Sequence, residues 1–397
     1  MIHRTMLFPQ INEDCCMIVL SLLDKPDLAV LSRVSRLARS YATPWLVRDL
    51  NLGKSAQFVN RGICRFVLTH GLGPYIHHLS ISPSFKLPLG RCTLFGPIVD
   101  EALRLLADVV AAATNLLSFR IEPLYQGYLH KEPLLAIALQ SRPCLHKLHI
   151  TNIDGADINQ LISKPISGLR CLQLTLGDTT GGGDIFDVIS SSAGTLEELS
   201  IWSIVLHELQ VTHELQKTVY PRLRRLSLHN VKMKPHAMSQ VFPNLQHLKM
   251  NLSDYSDSPF SPSTMSNLPL PHSPSFSELQ SISGHSVLTT LAFHSPMQRV
   301  HIEQLINSEE MLRDVLAFMS HMPVTSVSLL IRIRSPDEEA RRRSGHHQWP
   351  LRASSVMRMV AKCIPRVQYL ELGFSWAGFR ASGRSPQVCT ESVCRSF

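Results

Sequence analysis

Several places in this chain hold residue types that do chemistry, and each lacks the partner its reaction needs. Gly53-Lys54-Ser55 matches the end of a phosphate-cradling loop, but the glycine required five residues earlier is Arg48. Gly181-Gly182-Gly183 has no second half of a dinucleotide fingerprint and reads as a strand-to-helix loop. His207-Glu208 is followed by His213, not by the histidine that a zinc protease places four residues on from the first. A nucleophile elbow is absent. The chain has 9 Cys, an odd number, and no Cys-x-x-Cys pair. Zinc-ligand spacing is therefore missing, and reduced thiols are expected, with Cys144 and Cys171 beside strands. Neither an enzyme nor a cofactor nor a metal is expected. What remains is recognition, and the candidate residues for it depend on which elements present them.

Those elements follow from one short phrase: an aliphatic residue, two spacers, an aliphatic, one spacer, an aliphatic. It reads Leu145-Leu148-Ile150, Leu169-Leu172-Leu174, Leu196-Leu199-Ile201, Leu223-Leu226-Leu228 and Leu245-Leu248-Met250. Each phrase ends in period-two alternation, which predicts a short strand with one buried face. Helix-like segments lie between phrases: Ile98–Thr114, Glu132–Gln140, Asp184–Ser192, Val205–Lys217 and Glu309–His321. Strand, crossover helix and strand imply a parallel sheet. From Leu148 through Leu172, Leu199, Leu226 and Leu248 the spacings are 24, 27, 27 and 22 residues. Upstream, Ile76-Leu79-Ile81 and Leu116-Phe119-Ile121 fit more loosely. Downstream, Leu279-Ile282 and Leu288-Leu291-Phe293 compete, with too few residues between them for a crossover. The expectation is a helix over 286–293 and a strand over Gln298–Ile302, followed by Val324-Val327-Leu329 and Val367-Leu370-Leu372.

The middle of the chain thus resembles a leucine-rich-repeat protein of the irregular kind. The family's asparagine would fall at positions 153 and 231, which are Ile153 and Val231, while Asn152 and Asn230 come one residue early. The array is therefore expected to rely on aliphatic packing. The fold class expected is α/β, a solenoid of about ten to twelve repeats over residues 53–376. If its strands line a concave side, Lys147, His149, Gln173, Glu198, Trp202, Arg225, Ser227, His229, His247, Lys249, Arg299 and His301 point away from the core. Lys147, His149, Trp202, Arg225, His229, His247, Lys249, Arg299 and His301 are the candidate substrate face. The net charge is +8 with His neutral. A basic face favours an acidic or phosphorylated protein segment; the alternative is an ordinary solvated sheet face.

Composition is that of a globular chain, 44% hydrophobic and 18% charged over 397 residues. No run of 18 apolar residues predicts a membrane span, and no secretory signal is expected. Residues 253–277 hold nine Ser and five Pro, with Ser-Pro at 258, 261 and 273. They read as a loop inserted between repeats and as a substrate for proline-directed phosphorylation. Residues 332–352 carry Arg341-Arg342-Arg343 and His346-His347, but Asp337, Glu338 and Glu339 offset the charge and interleaved aromatics are missing. A nucleic-acid partner is accordingly not expected. Residues 377–397 lack apolar periodicity and read as a disordered or atypical tail.

The first 52 residues differ. Cys15, Ile18, Val19, Leu22 and Leu23 fall at helical spacing; Lys25-Pro26 breaks the helix, and Asp27 suits the next cap. Leu28, Leu31, Val34 and Leu37 form a second stripe within a helix expected to reach Tyr41. Thr43-Pro44 is expected to open a third helix containing Trp45, Leu46 and Leu50. The run Leu22-Leu23-Asp24-Lys25-Pro26-Asp27-Leu28-Ala29-Val30-Leu31-Ser32-Arg33-Val34-Ser35-Arg36, closed by Trp45–Leu52, resembles an F-box. Pro9 lies farther upstream of Leu23 than the family's opening Leu-Pro does.

That resemblance implies docking onto the adaptor of an SCF-type cullin-RING ubiquitin ligase, with the repeats holding a protein substrate. It assigns the adaptor-facing and core surface to Leu23, Pro26, Leu28, Leu31 and Val34, with Pro9 as a further candidate. It implies a non-catalytic recognition subunit in the cytoplasm, or in the nucleus. The alternatives are a helical cap closing the repeat array, and a repeat scaffold outside any ligase.

Overall fold

The computed structural model describes residues 12–53, 59–81, 96–122, 128–163, 166–177, 185–208, 218–232, 235–251, 276–284, 297–306, 309–320, 323–334, 353–377 and 395–396. Pro9, the 181–183 glycines, the expected 286–293 helix, most of the Ser/Pro-rich stretch, the 341–347 basic cluster and most of the tail lie outside these residues. The chain divides into two compact units, residues 1–196 and 197–397.

The first unit begins with three helices: α1 (Glu13–Leu22), α2 (Lys25–Val34) and α3 (Arg36–Arg48). Asn12 caps α1, its side chain accepting from the Asp14 amide at 3.0 Å. Asp24, not Asp27, caps α2, accepting from the Asp27 amide at 2.9 Å. Lys25-Pro26 therefore opens a helix, where proline's missing N–H removes no bond. The expected long second helix is divided at Ser35, whose backbone is extended and whose hydroxyl accepts from the Ala38 amide at 3.0 Å. A good cap placed mid-segment starts a new helix. As a result α3 runs through Pro44 rather than beginning at it.

Five parallel strands follow in chain order: β1 (Asp49–Asn51), β2 (His78–Ile81), β3 (Ser118–Ile121), β4 (Lys147–Ile153) and β5 (Cys171–Leu176). Their registers align two columns of buried side chains. One is Leu50, Leu79, Phe119, Leu148 and Leu172; the other is Ile81, Ile121, Ile150 and Leu174. Helices α4 (Arg61–Thr69), α5 (Gly96–Ala112), α6 (Tyr128–Lys131), α7 (Pro133–Gln140), α8 (Gly155–Ser163) and α9 (Ile185–Ser190) lie between or after the strands in sequence. The turns are laced as well: Asn115 Nδ2 donates to the Pro74 carbonyl at 2.9 Å.

Asp157 is a buried anchor in this unit. Its carboxylate accepts from the His130 amide at 2.8 Å, while Asp154 Oδ1 accepts from the Asp157 amide at 2.8 Å. It is fully buried, and burial pushes its carboxyl above the ordinary value, with the His130 hydrogen bond opposing.

The second unit carries seven parallel strands among the described residues, again in chain order. They are β6 (Glu198–Glu208), β7 (Arg225–Lys232), β8 (His247–Asn251), β9 (Ser281–Gly284), β10 (Arg299–Ile306), β11 (Ser326–Arg334) and β12 (Tyr369–Ala377). A two-residue strand, β13 (Arg395–Ser396), pairs antiparallel with β12. The helices are α10 (Pro235–Val241), α11 (Glu309–Ser320) and α12 (Ala353–Cys363). Leu199, Leu226, Leu248, Ile282, Val300, Val327 and Leu370 form one column. Residues 205–208, expected in a helix, extend β6 instead, with His207 opposite Val231. The β-branched pair Ile204-Val205 fits a strand better than a helix. Between the competing phrases, Leu279-Ile282 supplies β9.

Asn152 and Asn230, the two asparagines that come early, are the non-glycine residues with positive φ among the described residues, at 58° and 53°. Asparagine tolerates this left-handed region better than most residues. Asn230 also donates Nδ2 to the Ser203 carbonyl at 3.1 Å. Gly284 occupies the second column, opposite Met250, with φ +134°; a Cβ there would lie 1.8 Å from the Met250 carbonyl oxygen. No helix among the described residues is long and apolar enough to cross a membrane.

Two stability outcomes follow from these positions. Gly284→Ala is expected to destabilise the fold by about 2 kcal/mol through backbone strain; an unchanged urea midpoint would contradict the close approach. Asp157→Ala is expected to cost about 1–2 kcal/mol by orphaning the His130 amide, and unchanged thermal unfolding would exclude that anchoring role.

Candidate functional site

Two kinds of surface could hold another protein: the helical head of the first unit, and the polar strand face that each unit carries. The first is the helical head, residues 12–48. Its own core is small: Leu20, Leu28 and Ala42 are buried, and Leu23, Leu31, Tyr41, Trp45 and Leu46 pack partly against them. The Arg48 guanidinium sits over Trp45, 5.2 Å from the ring centroid. Lys25 Nζ donates to the Asp49 carbonyl and ties α2 to the start of β1.

The head leaves large apolar side chains in solvent. Leu22 is 81% exposed, Val34 68%, Val30 62% and Ile18 61%. Val19, Met17 and Leu37 are exposed as well. Ile18, Val19 and Leu22 share one face of α1, and Val30 and Val34 share one face of α2. Of the fourteen exposed large hydrophobics among the described residues, seven fall between Met17 and Leu37. Such concentration over so short a stretch makes the head a candidate contact surface.

The residues assigned to adaptor contact therefore separate. Pro26 and Val34 are exposed; Leu28 is buried and builds the head; Leu23 and Leu31 are half-buried. Pro9 lies outside the described residues. Ile18, Val19, Leu22 and Val30 join the surface. The α1 stripe was visible in the sequence, but an apolar stripe does not say whether it faces its own chain or another. The chain's own core takes Cys16 and Leu20 from that helix.

The second surface is the polar face of the strands. In the first unit Lys147 is exposed and His149 half-buried. Burial, followed by the Arg120 charge, holds the His149 imidazole below its ordinary value. Gln173 lies beside it on β5.

In the second unit the register places Glu198, Arg225, His247, Ser281, Arg299 and Ser326 in one row. The next row is Ser200, Ser227, Lys249, Ser283, His301 and Ser328. A third row begins with Trp202, His229 and Asn251. Trp202 is 49% exposed and stacks on His229, ring centroids 4.8 Å apart at 21°. Arg225 pairs with Glu198. His247 Nδ1 lies 2.7 Å from Ser281 Oγ. Burial first, then Arg225 and Arg299, keep the His247 imidazole below its ordinary value. Both arginine charges are thus felt at that ring.

Trp202, Arg225, His229, His247, Lys249, Arg299 and His301 therefore do share one strand face, whereas Lys147 and His149 belong to the face of the first unit. The serines Ser281 and Ser283 escaped the sequence reading, because the Leu279-Ile282 phrase that places them had a competitor nine residues on. No group of histidine, cysteine, aspartate and glutamate among the described residues could hold a metal ion. No family model and no curated protein matches the chain.

If the arginines depress His247, replacing both relieves part of the effect. Arg225→Gln with Arg299→Gln is expected to raise the His247 pKa toward its ordinary value, burial remaining. NMR titration of the imidazole measures this; an unmoved midpoint would show that the two charges do not act together at this ring.

Proposed function

We propose that this chain is the substrate-recognition subunit of an SCF-type cullin-RING ubiquitin ligase. In this reading the helical head grips the ligase adaptor, the strand face holds a protein substrate, and the chain itself catalyses nothing. One observation carries it: Ile18, Val19, Leu22, Val30 and Val34 stand outside the head's own core. Three helices with so small a core gain stability by covering such side chains with a second protein. The head also carries the Leu-Asp-x-Pro-Asp-Leu and Val-x-Arg pattern that resembles an F-box.

The division of labour is physical. Leu28 and Leu20 hold the helices together, so that the exposed stripes of α1 and α2 are presented as fixed faces. Pro26 and Val34, with Pro9 by resemblance, belong to the adaptor contact. The strand face recruits an acidic or phosphorylated protein segment through Arg225, Lys249 and Arg299, with Trp202 as an apolar anchor. A protein is favoured over nucleic acid because the exposed large aromatics of this face among the described residues, Trp202 and Tyr369, are too few for base stacking along a strand. The proposed compartment is the cytoplasm or the nucleus.

The test is co-purification of the cullin adaptor with the full chain. Ile18→Arg with Val34→Arg is expected to abolish it while the melting temperature stays unchanged, since both positions are exposed. Leu28→Ala is expected instead to lower stability by about 2–5 kcal/mol. Adaptor retained by the double variant would leave a repeat scaffold outside any ligase as the reading.

A further inference from the structure

The exposed charges of the helical head are sorted along its helices. Glu13 and Asp14 open α1, Arg33 lies in the last turn of α2, and Arg36 opens α3. All four are exposed, and none joins an ion pair among the described residues. On α1, Asp14, Ile18 and Leu22 recur every four residues and lie along one face. On α2, Pro26, Val30, Arg33 and Val34 share a face in the same way. Neither face is the one that carries Leu20 or Leu28 into the head's core.

The two faces are complementary. One is acidic at its start and apolar after it; the other is apolar and then basic at its end. Asp14 to Leu22 and Pro26 to Val34 each rise about 12 Å. Laid antiparallel, α1 on α2, they bring Leu22 to Pro26, Ile18 to Val30, and Asp14 to Arg33 and Val34. Within one head these contacts are not made, since both faces are exposed. A second copy offers them twice, α1 of each on α2 of the other about a two-fold axis.

A partner for this surface must be apolar in the middle, basic opposite the start of α1 and acidic opposite the end of α2. The head itself has that pattern. The seven exposed apolar side chains from Met17 to Leu37 carry on the order of 100 Å² each. Together they supply most of the roughly 800 Å² that a standard interface takes from each partner.

We propose that the free chain pairs with a second copy of itself by exchanging these α1 and α2 faces, and that the pairing covers the surface assigned to the adaptor. Ile18, Leu22, Val30 and Val34 cannot touch a second head and an adaptor at once, so the two complexes exclude each other. That exclusion rests on the function proposed above; the self-association needs no adaptor.

Sedimentation velocity of the full chain tests the pairing. Wild type is expected to be a dimer at ~10 µM, within the range of standard interfaces. Asp14→Arg alone opposes two positive charges at each contact, and Arg33→Asp alone opposes two negative ones. Each is expected to weaken the dimer at least about tenfold. Mixed in equal amounts, the two variants set opposite charges against each other at both contacts, and a dimer holding one of each is expected to form. Circular dichroism checks that both fold. Should either fail to, Asp14→Asn and Arg33→Gln are expected to weaken the dimer in the same direction.

A wild type that stays monomeric up to ~100 µM would overturn the proposal. So would a dimer unmoved by the variants, or a mixture that remains monomeric. Adaptor titration separates the two readings. A dimer that the adaptor leaves untouched sinks the ligase function alone; adaptor bound by a chain that never dimerises sinks the pairing alone. Adaptor bound to the intact dimer overturns the exclusion.

Discussion

Strand register held by aliphatic pairing is the constraint on which everything else here depends. Leu199 opposes Leu226, Leu226 opposes Leu248, and Leu248 opposes Ile282. In the first unit Phe119 opposes Leu148, which opposes Leu172. Each buried Leu or Ile contributes roughly 1.5–3 kcal/mol. A slip of one residue would turn every such side chain to solvent and every lysine, arginine and serine inward. The columns are therefore specified sharply, repeat after repeat.

The polar face is the other consequence of the same pairing. Because alternate residues point in opposite directions, fixing the columns also fixes rows. Ser227, Lys249, Ser283 and His301 become neighbours although no two are adjacent in sequence. Gly284 shows what happens where the column has no side chain to offer. Its backbone comes so close to Met250 that only glycine fits, and Ile302 pairs with it from the far side. Asn152 and Asn230 accept a left-handed backbone inside β4 and β7, where the register shifts before pairing resumes at Ile153 and Val231.

The strands were legible because leucine spacing reports them twice, by the repeat period and by alternation within each phrase. The helices at α5, α7, α9 and α11 were legible in type, with ends displaced by one or two residues, whereas α4, α8 and α10 were not read from the sequence. Residues 205–208 were misread because one long gap invited a helix, while Ile204-Val205 continued the strand. The head was misread at Ser35, where a cap of ordinary composition sits inside an apolar pattern that runs on without a break. The outward strand positions were legible from alternation, but the charge they carry was not. The imidazoles of His149 and His247 are held below their ordinary values by burial and by arginines on neighbouring strands, and only the assembled sheet shows those neighbours. The exposed stripe of α1 was legible as apolar and silent about its partner.

Pairwise cross-linking tests the register most directly. Ser200 and Ser227 are opposed on β6 and β7, and both differ from cysteine by a single atom. In Ser200→Cys with Ser227→Cys, mild oxidation followed by peptide mass mapping should find a 200–227 disulfide, since paired strands bring the Cα atoms to about 5 Å. Ser200→Cys with His229→Cys, one pleat out of register, should stay reduced. A 200–229 link forming as readily as 200–227 would contradict the aliphatic columns and the rows built on them.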